Sequence, residues 1–164
     1  LGGTPYLVAI MALVGAIDWV RRRDLQALLF LAVVAIGVSA INNALKWMIM
    51  RERPPGLHLV GSAGSSFPSG HSAAAAACWL AIALVVSGWL PRRFRPWLFG
   101  GAIVIAVVVA ASRALLGVHW VTDVVAGLIV GWTWFLLVAV AFGGRHQRLG
   151  EPAEEIASGR TSGS

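Results

Sequence analysis

The stretch LQALLFLAVVAIGVSAINNALKW, residues 25–47, carries no charge from Leu25 to Leu45. A helix needs about 20 apolar residues to cross the hydrocarbon core of a bilayer, and this block has that length. Its apolar residues do not alternate with polar ones, as a half-buried strand requires. In lipid a backbone must satisfy its own hydrogen bonds, which a helix does within one segment. Four similar blocks surround it, at residues 4–20, 72–90, 97–112 and 121–142. The expected fold is therefore all-α: a polytopic membrane helical bundle with five spans, residues 1–142 forming one transmembrane domain.

Composition agrees. Of 164 residues, 58% are hydrophobic and 12% charged, against roughly a quarter charged in a soluble domain. Residues 143–164 are rich in Gly, Ser, Arg and Glu and read as a disordered cytoplasmic tail. The sequence opens on Leu1, with no basic segment before the first block and no small-residue cleavage site after it, so a cleavable signal peptide is not expected. Cys78 is the sole cysteine and sits inside an apolar block, so it says nothing about redox compartment.

A net charge of +6 could suggest nucleic acid, but the basic residues are sorted by topology. Arg21, Arg22 and Arg23 follow the first block, Arg92, Arg93 and Arg95 separate the third from the fourth, and Arg145, Arg148 and Arg160 follow the fifth. With successive spans all of these fall on one side, which the positive-inside rule makes cytoplasmic. The N-terminus then lies outside, which suggests a sixth span missing upstream. Lys46, Arg51, Arg53 and Arg113 fall on the opposite side, against the rule, together with His58, His71, His119, Glu52 and Asp123.

Three short segments concentrate this chemistry. In KWMIMRERP, Lys46 and Arg53 are seven residues apart, which returns to one helix face after two turns, and Pro54 should end the helix at Arg53. Interfacial snorkelling would explain two such cations taken alone. In SFPSGH, residues 66–71, Pro, Ser and Gly suit a helix start, whose open N–H groups also suit an anion. Gly70 permits close backbone approach. In SRALLGVHWVTD, residues 112–123, His119 and Asp123 share a helical face, so the carboxylate can accept the imidazole Nδ1 proton and leave Nε2 free to attack. A structural His–Asp pair is the bland alternative. Together, three cations, two histidines and a carboxylate at one membrane face suit a phosphate, whose oxygens need several donors during transfer. A zinc site could be drawn from His71, His119, Asp123 and Glu52, but a dication would be repelled by Lys46, Arg53 and Arg113, so no metal is expected. Arg51, Glu52 and His58 match no motif position; a solvated loop is favoured over tuning the site or meeting the head group, and the tryptophans are read as interfacial anchors, with packing against substrate the alternative for Trp120.

At these residues the sequence resembles the type 2 phosphatidic acid phosphatase family, which shares its site with vanadium haloperoxidases and class A bacterial acid phosphatases. The signature K-x6-R-P, P-S-G-H and S-R-x5-H-x3-D is matched in order by Lys46, Arg53 and Pro54, by Pro68, Ser69, Gly70 and His71, and by Ser112, Arg113, His119 and Asp123. The resemblance extends over about residues 40–140. It implies that His119 forms a phosphohistidine, oriented by Asp123, and that His71 protonates the leaving oxygen. Lys46, Arg53, Ser69, Gly70 and Arg113 would hold the phosphate, with no metal and no cofactor. It also implies six spans in the membrane branch of the family.

The expected activity is hydrolysis of a lipid phosphate or pyrophosphate, undecaprenyl or another polyprenyl pyrophosphate leading, in a bacterial inner membrane with the active site on the periplasmic or extracellular face. The alternatives are a lipid phosphotransferase using the same site and a non-enzymatic lipid or anion transporter. No internal repeat of the kind found in transporters is present. The expected partners are the lipid phosphate and the membrane, with no nucleic acid; spacing leaves oligomeric state open.

Overall fold

The computed structural model describes residues 4–55 and 64–143. They form five long helices: α1 Thr4–Arg22, α2 Gln26–Ile49, α3 Gly70–Ser87, α4 Arg95–Leu115 and α5 Val121–Gly143, with a 3₁₀ turn at Arg92–Phe94 before α4. There is no strand among the described residues. The domain boundary expected near residue 143 falls beside residues outside the description.

The alanine run in α3 decides the packing. Small side chains let α3 sit at the centre, touching each of the other four long helices. Of its apolar span 67% is buried, against 22–28% for α2, α4 and α5. On the α5 side the approach is closest. A Cβ on Gly131 would lie 2.3 Å from the Ala73 carbonyl, and one on Gly127 2.6 Å from the Ser69 carbonyl. These glycines are spaced as G-x-x-x-G, the arrangement that lets helix backbones touch in lipid. Ala73 to Ala77 supply one side of this contact, and Gly127 and Gly131 the other.

Outward, α2, α4 and α5 present Leu29, Ile36, Val104, Val108, Leu137 and Val140, each more than half exposed. An apolar exterior around a small-residue interior is the pattern of a bundle dissolved in lipid. Among the described residues four helices are long and apolar enough to cross a membrane, the 3₁₀ turn included in the span that contains α4. That corrects the expected five: α1 holds Asp18, Arg21 and Arg22 within its nineteen residues and is the weakest of the series.

The arginine sorting reappears as two ends of the bundle. Arg22 at the end of α1 donates to the Gly88 carbonyl at the end of α3 (3.2 Å), and Arg21 lies over the Trp89 ring. The other end gathers the C-termini of α2 and α4 and the N-termini of α3 and α5.

Tryptophan roles are more varied than anchoring. Trp47 and Trp97 are 80% exposed and fit the interfacial role. Trp134 instead fills the space over Gly37 and donates to the Val34 carbonyl (3.1 Å), tying α5 to α2. Trp89 donates to Asp18 (2.7 Å), and Trp79 and Trp132 pack against the core.

Candidate active site

α2 stops earlier than Pro54 demands. Met50 adopts the left-handed conformation (φ 44°), and its N–H closes on the Lys46 carbonyl (3.0 Å). A non-glycine residue there costs about 1–2 kcal/mol, so the surrounding contacts must hold it. They do. Ser66 N–H donates to the Arg51 carbonyl (2.8 Å), and Ser66 Oγ to that of Glu52 (2.8 Å). Lys46 and Arg53 are therefore not neighbours on one helical face. Lys46 ends a helix, and Arg53 arrives by chain reversal. Both nonetheless line one cavity of about 370 Å³ with Gly70, His71 and His119.

Each cation is braced by backbone. Lys46 Nζ donates to the Ser65 carbonyl. Arg53 donates to the carbonyls of Val118 (2.8 Å) and Gly64 (3.1 Å), which links the first segment to the third. No side chain caps α3, so the N–H groups of its first turn stay open at the positive end of its dipole. Ser69, fully buried behind this turn, has its hydroxyl accept from Ser72 (2.9 Å), and its N–H donates to the Asp123 carbonyl (2.9 Å). Arg113, near the C-terminus of α4, places its charge within electrostatic reach of His71, and its Nε is buried without a partner among the described residues.

Gly117 (φ 70°) turns the chain from α4 into α5. His119 lies in this turn rather than in α5, and only 7% of it is exposed. Asp123, in the first turn of α5, reaches back to accept the Trp120 N–H (3.0 Å), the side-chain half of a capping box. Nδ1 of His119 stands 3.5 Å from Asp123 Oδ2, longer than a hydrogen bond. The expected pair is adjacent, but no hydrogen bond joins its members. Burial pushes the His119 imidazole below the ordinary histidine value, and the Arg53 and Lys46 charges add to that. Asp123 and a hydrogen bond with the Ser66 backbone pull the other way. The net effect is downward, which favours the neutral ring over the protonated one.

Arg51 corrects its assignment to a solvated loop. Its Nη1 donates to Asp123 Oδ1 (2.8 Å) and to Thr122 Oγ1 (2.7 Å), and its guanidinium lies 5.5 Å from the centre of the Trp120 ring. The only hint in the sequence was a basic residue on the face that should lack them. Glu52 does point to solvent, its carbonyl accepting from Ser66 and from Trp120 Nε1 (3.3 Å). His58 lies outside the described residues. Of the zinc set drawn from sequence, no three members converge among the described residues. Asn42, also missed, is 6% exposed and lines the cavity one turn before Lys46.

The chain matches the PAP2 superfamily over residues 27–147. It is 38% identical over 140 residues to phosphatidylglycerophosphatase B of Bacillus subtilis, an alignment covering 84% of this chain and 68% of that protein. It is 38% identical over 127 residues to lipid A 1-phosphatase of Rhizobium johnstonii, covering 71% of this chain and 47% of that protein. The crystal structure of a transmembrane PAP2-type phosphatidylglycerolphosphate phosphatase from Bacillus subtilis superposes with a TM-score of 0.83 at 36% identity, covering 90% of this chain and 73% of that one. With three motifs gathered at one end of a lipid-facing bundle of the same shape, the chain belongs to the PAP2 superfamily as a transmembrane phosphatase.

Proposed function

We propose that the chain hydrolyses the phosphate of a membrane lipid through a phosphohistidine on His119. The observation that carries this is one cavity lined by two histidines and two cations inside a bundle with an apolar exterior. The cavity is polar where Lys46, Arg53 and His119 meet, and at Ser39 it adjoins an apolar groove between α1 and α2 lined by Met11, Leu28, Leu31 and Ile36. Phosphate at one end and hydrocarbon at the other match an amphiphile.

His119 Nε2 attacks phosphorus as the bond to the leaving oxygen breaks. His71, across the cavity, delivers a proton to that oxygen. Water then attacks the phosphohistidine, giving its proton to His71 and releasing inorganic phosphate, which returns both histidines to their starting states. Lys46, Arg53, Arg113 and the open N–H groups of α3, Gly70 among them, face the charge on the phosphoryl oxygens. Ser69 holds that turn against α5. Asp123 stabilises the charged ring as it forms, and Arg51 fixes the carboxylate that does so.

The relatives named above act on phosphatidylglycerophosphate and on the 1-phosphate of lipid A, both phosphates on a lipid head group. A polyprenyl pyrophosphate presents the same terminal phosphate. We place the site on the periplasmic or extracellular face, because the opposite end holds Arg21, Arg22, Arg92, Arg93 and Arg95.

The test uses purified chain in detergent with phosphatidylglycerophosphate, phosphatidic acid, lipid A and undecaprenyl pyrophosphate. Inorganic phosphate should be released without an acceptor alcohol, and a chelator should not slow it. Brief incubation with phosphorus-labelled lipid should leave acid-labile label on the protein, absent in His119→Ala. Label that survives in that variant would rule out the proposed nucleophile.

A further inference from the structure

Lys46 and Arg53 both line the cavity, but the first residues that separate them face outward. Trp47, Met48, Ile49 and Met50 are all exposed, the two methionines at 73%. Four exposed apolar residues in succession are a liability in water unless something covers them. Successive residues of a helix are turned by about 100°, so Trp47 to Ile49 alone span more than half of its circumference. A partner helix or a second copy would cover one side of this turn. A surrounding solvent covers every side.

Met50 adds an independent sign. It caps α2 in a left-handed conformation (φ 44°) that glycine adopts at less cost. Its side chain meets little of the protein, so what it gains lies outside the chain. The same exposure recurs where α4 ends and α5 begins, at Leu115 (83%) and Val121. These helix ends belong to one end of the bundle and pack around the central α3, so the exposed residues form an arc about the site and not a single patch. Long unbranched methionines and an interfacial tryptophan suit a fluid neighbour. Lys46 comes four residues before Met50, which puts it about 6 Å deeper along α2 than this apolar tip.

We propose that Trp47–Met50, with Leu115 and Val121, form a collar immersed at the boundary between head groups and acyl chains, which seats Lys46 below the plane of the surrounding lipid phosphates. The partner of this surface is the bilayer leaflet at the site end. Its consequence rests on the lipid-phosphatase reading: a lipid phosphate reaches the cavity by sinking within the leaflet, whereas a phosphate carried by a water-soluble molecule must cross the collar. The chain then favours a phosphate presented in a bilayer over the same head group in solution.

Depth can be read without activity. The full chain, with buried Cys78 replaced by alanine, carries a bimane label through Met48→Cys or Met50→Cys in phosphatidylcholine vesicles. Spin labels on the acyl chain near its ester should quench either position more than spin labels on the head group do. Iodide in the buffer should quench it far less than it quenches the free dye. Iodide quenching equal to that of the free dye, or acyl-chain labels that quench no better than head-group labels, would overturn the collar. The consequence has its own test. Met48→Gln together with Met50→Gln should lower hydrolysis of phosphatidic acid in vesicles by about tenfold, the factor that partial loss of the burial of two methionines corresponds to. Hydrolysis of soluble dibutyryl phosphatidic acid should change little. Equal losses on both would mean that the run only supports the fold of the site, and the collar would fall. Met50→Gly, which eases the left-handed backbone, should show the same split in smaller measure and covers a double variant that does not fold. A chain that meets the depth test but releases phosphate from no lipid in the panel above would keep the collar and sink the phosphatase reading.

Discussion

The two ends of the bundle are built from nearly the same parts. At one end Asp18, 3% exposed, accepts from Arg22 Nε (3.0 Å) and Trp89 Nε1 (2.7 Å), with Arg21 over the Trp89 ring. At the other Asp123, fully buried, accepts from Arg51 (2.8 Å) and the Trp120 N–H (3.0 Å), with Arg51 over the Trp120 ring. A buried carboxylate held by arginine and tryptophan therefore does not make a site. The first cluster is closed and staples α1 to the end of α3. The second stands beside His119 and the further cations Lys46, Arg53 and Arg113, at the rim of a cavity. The first end also holds further arginines, Arg92, Arg93 and Arg95 among them, so what distinguishes an anion site from a staple is cations and histidines converging on one cavity.

The sharpest break between the ends should come from the nucleophile. His119→Ala should lower kcat on the order of a millionfold, as loss of a nucleophile does elsewhere, while Arg22→Ala should leave kcat within a few-fold of the unaltered chain. Next comes the pair of carboxylate clamps. Arg51→Ala frees Asp123 to move and should lower kcat on the order of a hundredfold, the cost of misplacing a catalytic group by about 1 Å. Arg51→Lys, which keeps a cation but not the planar reach to both Asp123 and Thr122, should fall between. Equal activity in all three proteins would mean that Arg51 is as structural as Arg22. Asp18→Asn should act in the opposite currency, losing about 1.5–3 kcal/mol of stability, because charge-assisted hydrogen bonds weaken. It should do so with KM and kcat unchanged in micelles.

What could be read before the fold was known follows the same division. Lys46, Arg53, His71, Arg113, His119 and Asp123 were legible at one end of the bundle because the span ends place them there, although the helical spacing read between Lys46 and Arg53 was not the reason. The span ends were legible because lipid tolerates little else. Arg51 was not, since its partner lies 72 residues away and only the chain reversal at Met50 brings the two together. That reversal hid as well, because Pro54 offered a plausible later stop. Asn42 sits inside an apolar run, where periodicity alone would bury it against a neighbouring helix; its burial beside a cavity is a tertiary fact. Trp134 and Trp89 looked like interfacial residues by position, but Gly37 and Asp18, distant in sequence, give them partners in the interior.

The smallest expected effect concerns the cations gathered at the cavity. If Lys46 and Arg53 act on His119 through space, they and burial together hold its imidazole below 6.5, while Asp123 only partly opposes them. Removing a positive neighbour makes it easier for the ring to take a proton, so the sign is fixed: Arg53→Gln should raise the His119 titration midpoint. Carbon-13 labelling of histidine in micelles, with His119 assigned by its disappearance in His119→Ala, would follow the midpoint directly and without substrate. Arg22→Gln, at the far end of the bundle, should leave it in place. A midpoint above 6.5 in the unaltered chain would mean that Asp123 governs the ring after all. The cavity would then be a second staple with a histidine in it, not the anion site that its converging cations imply.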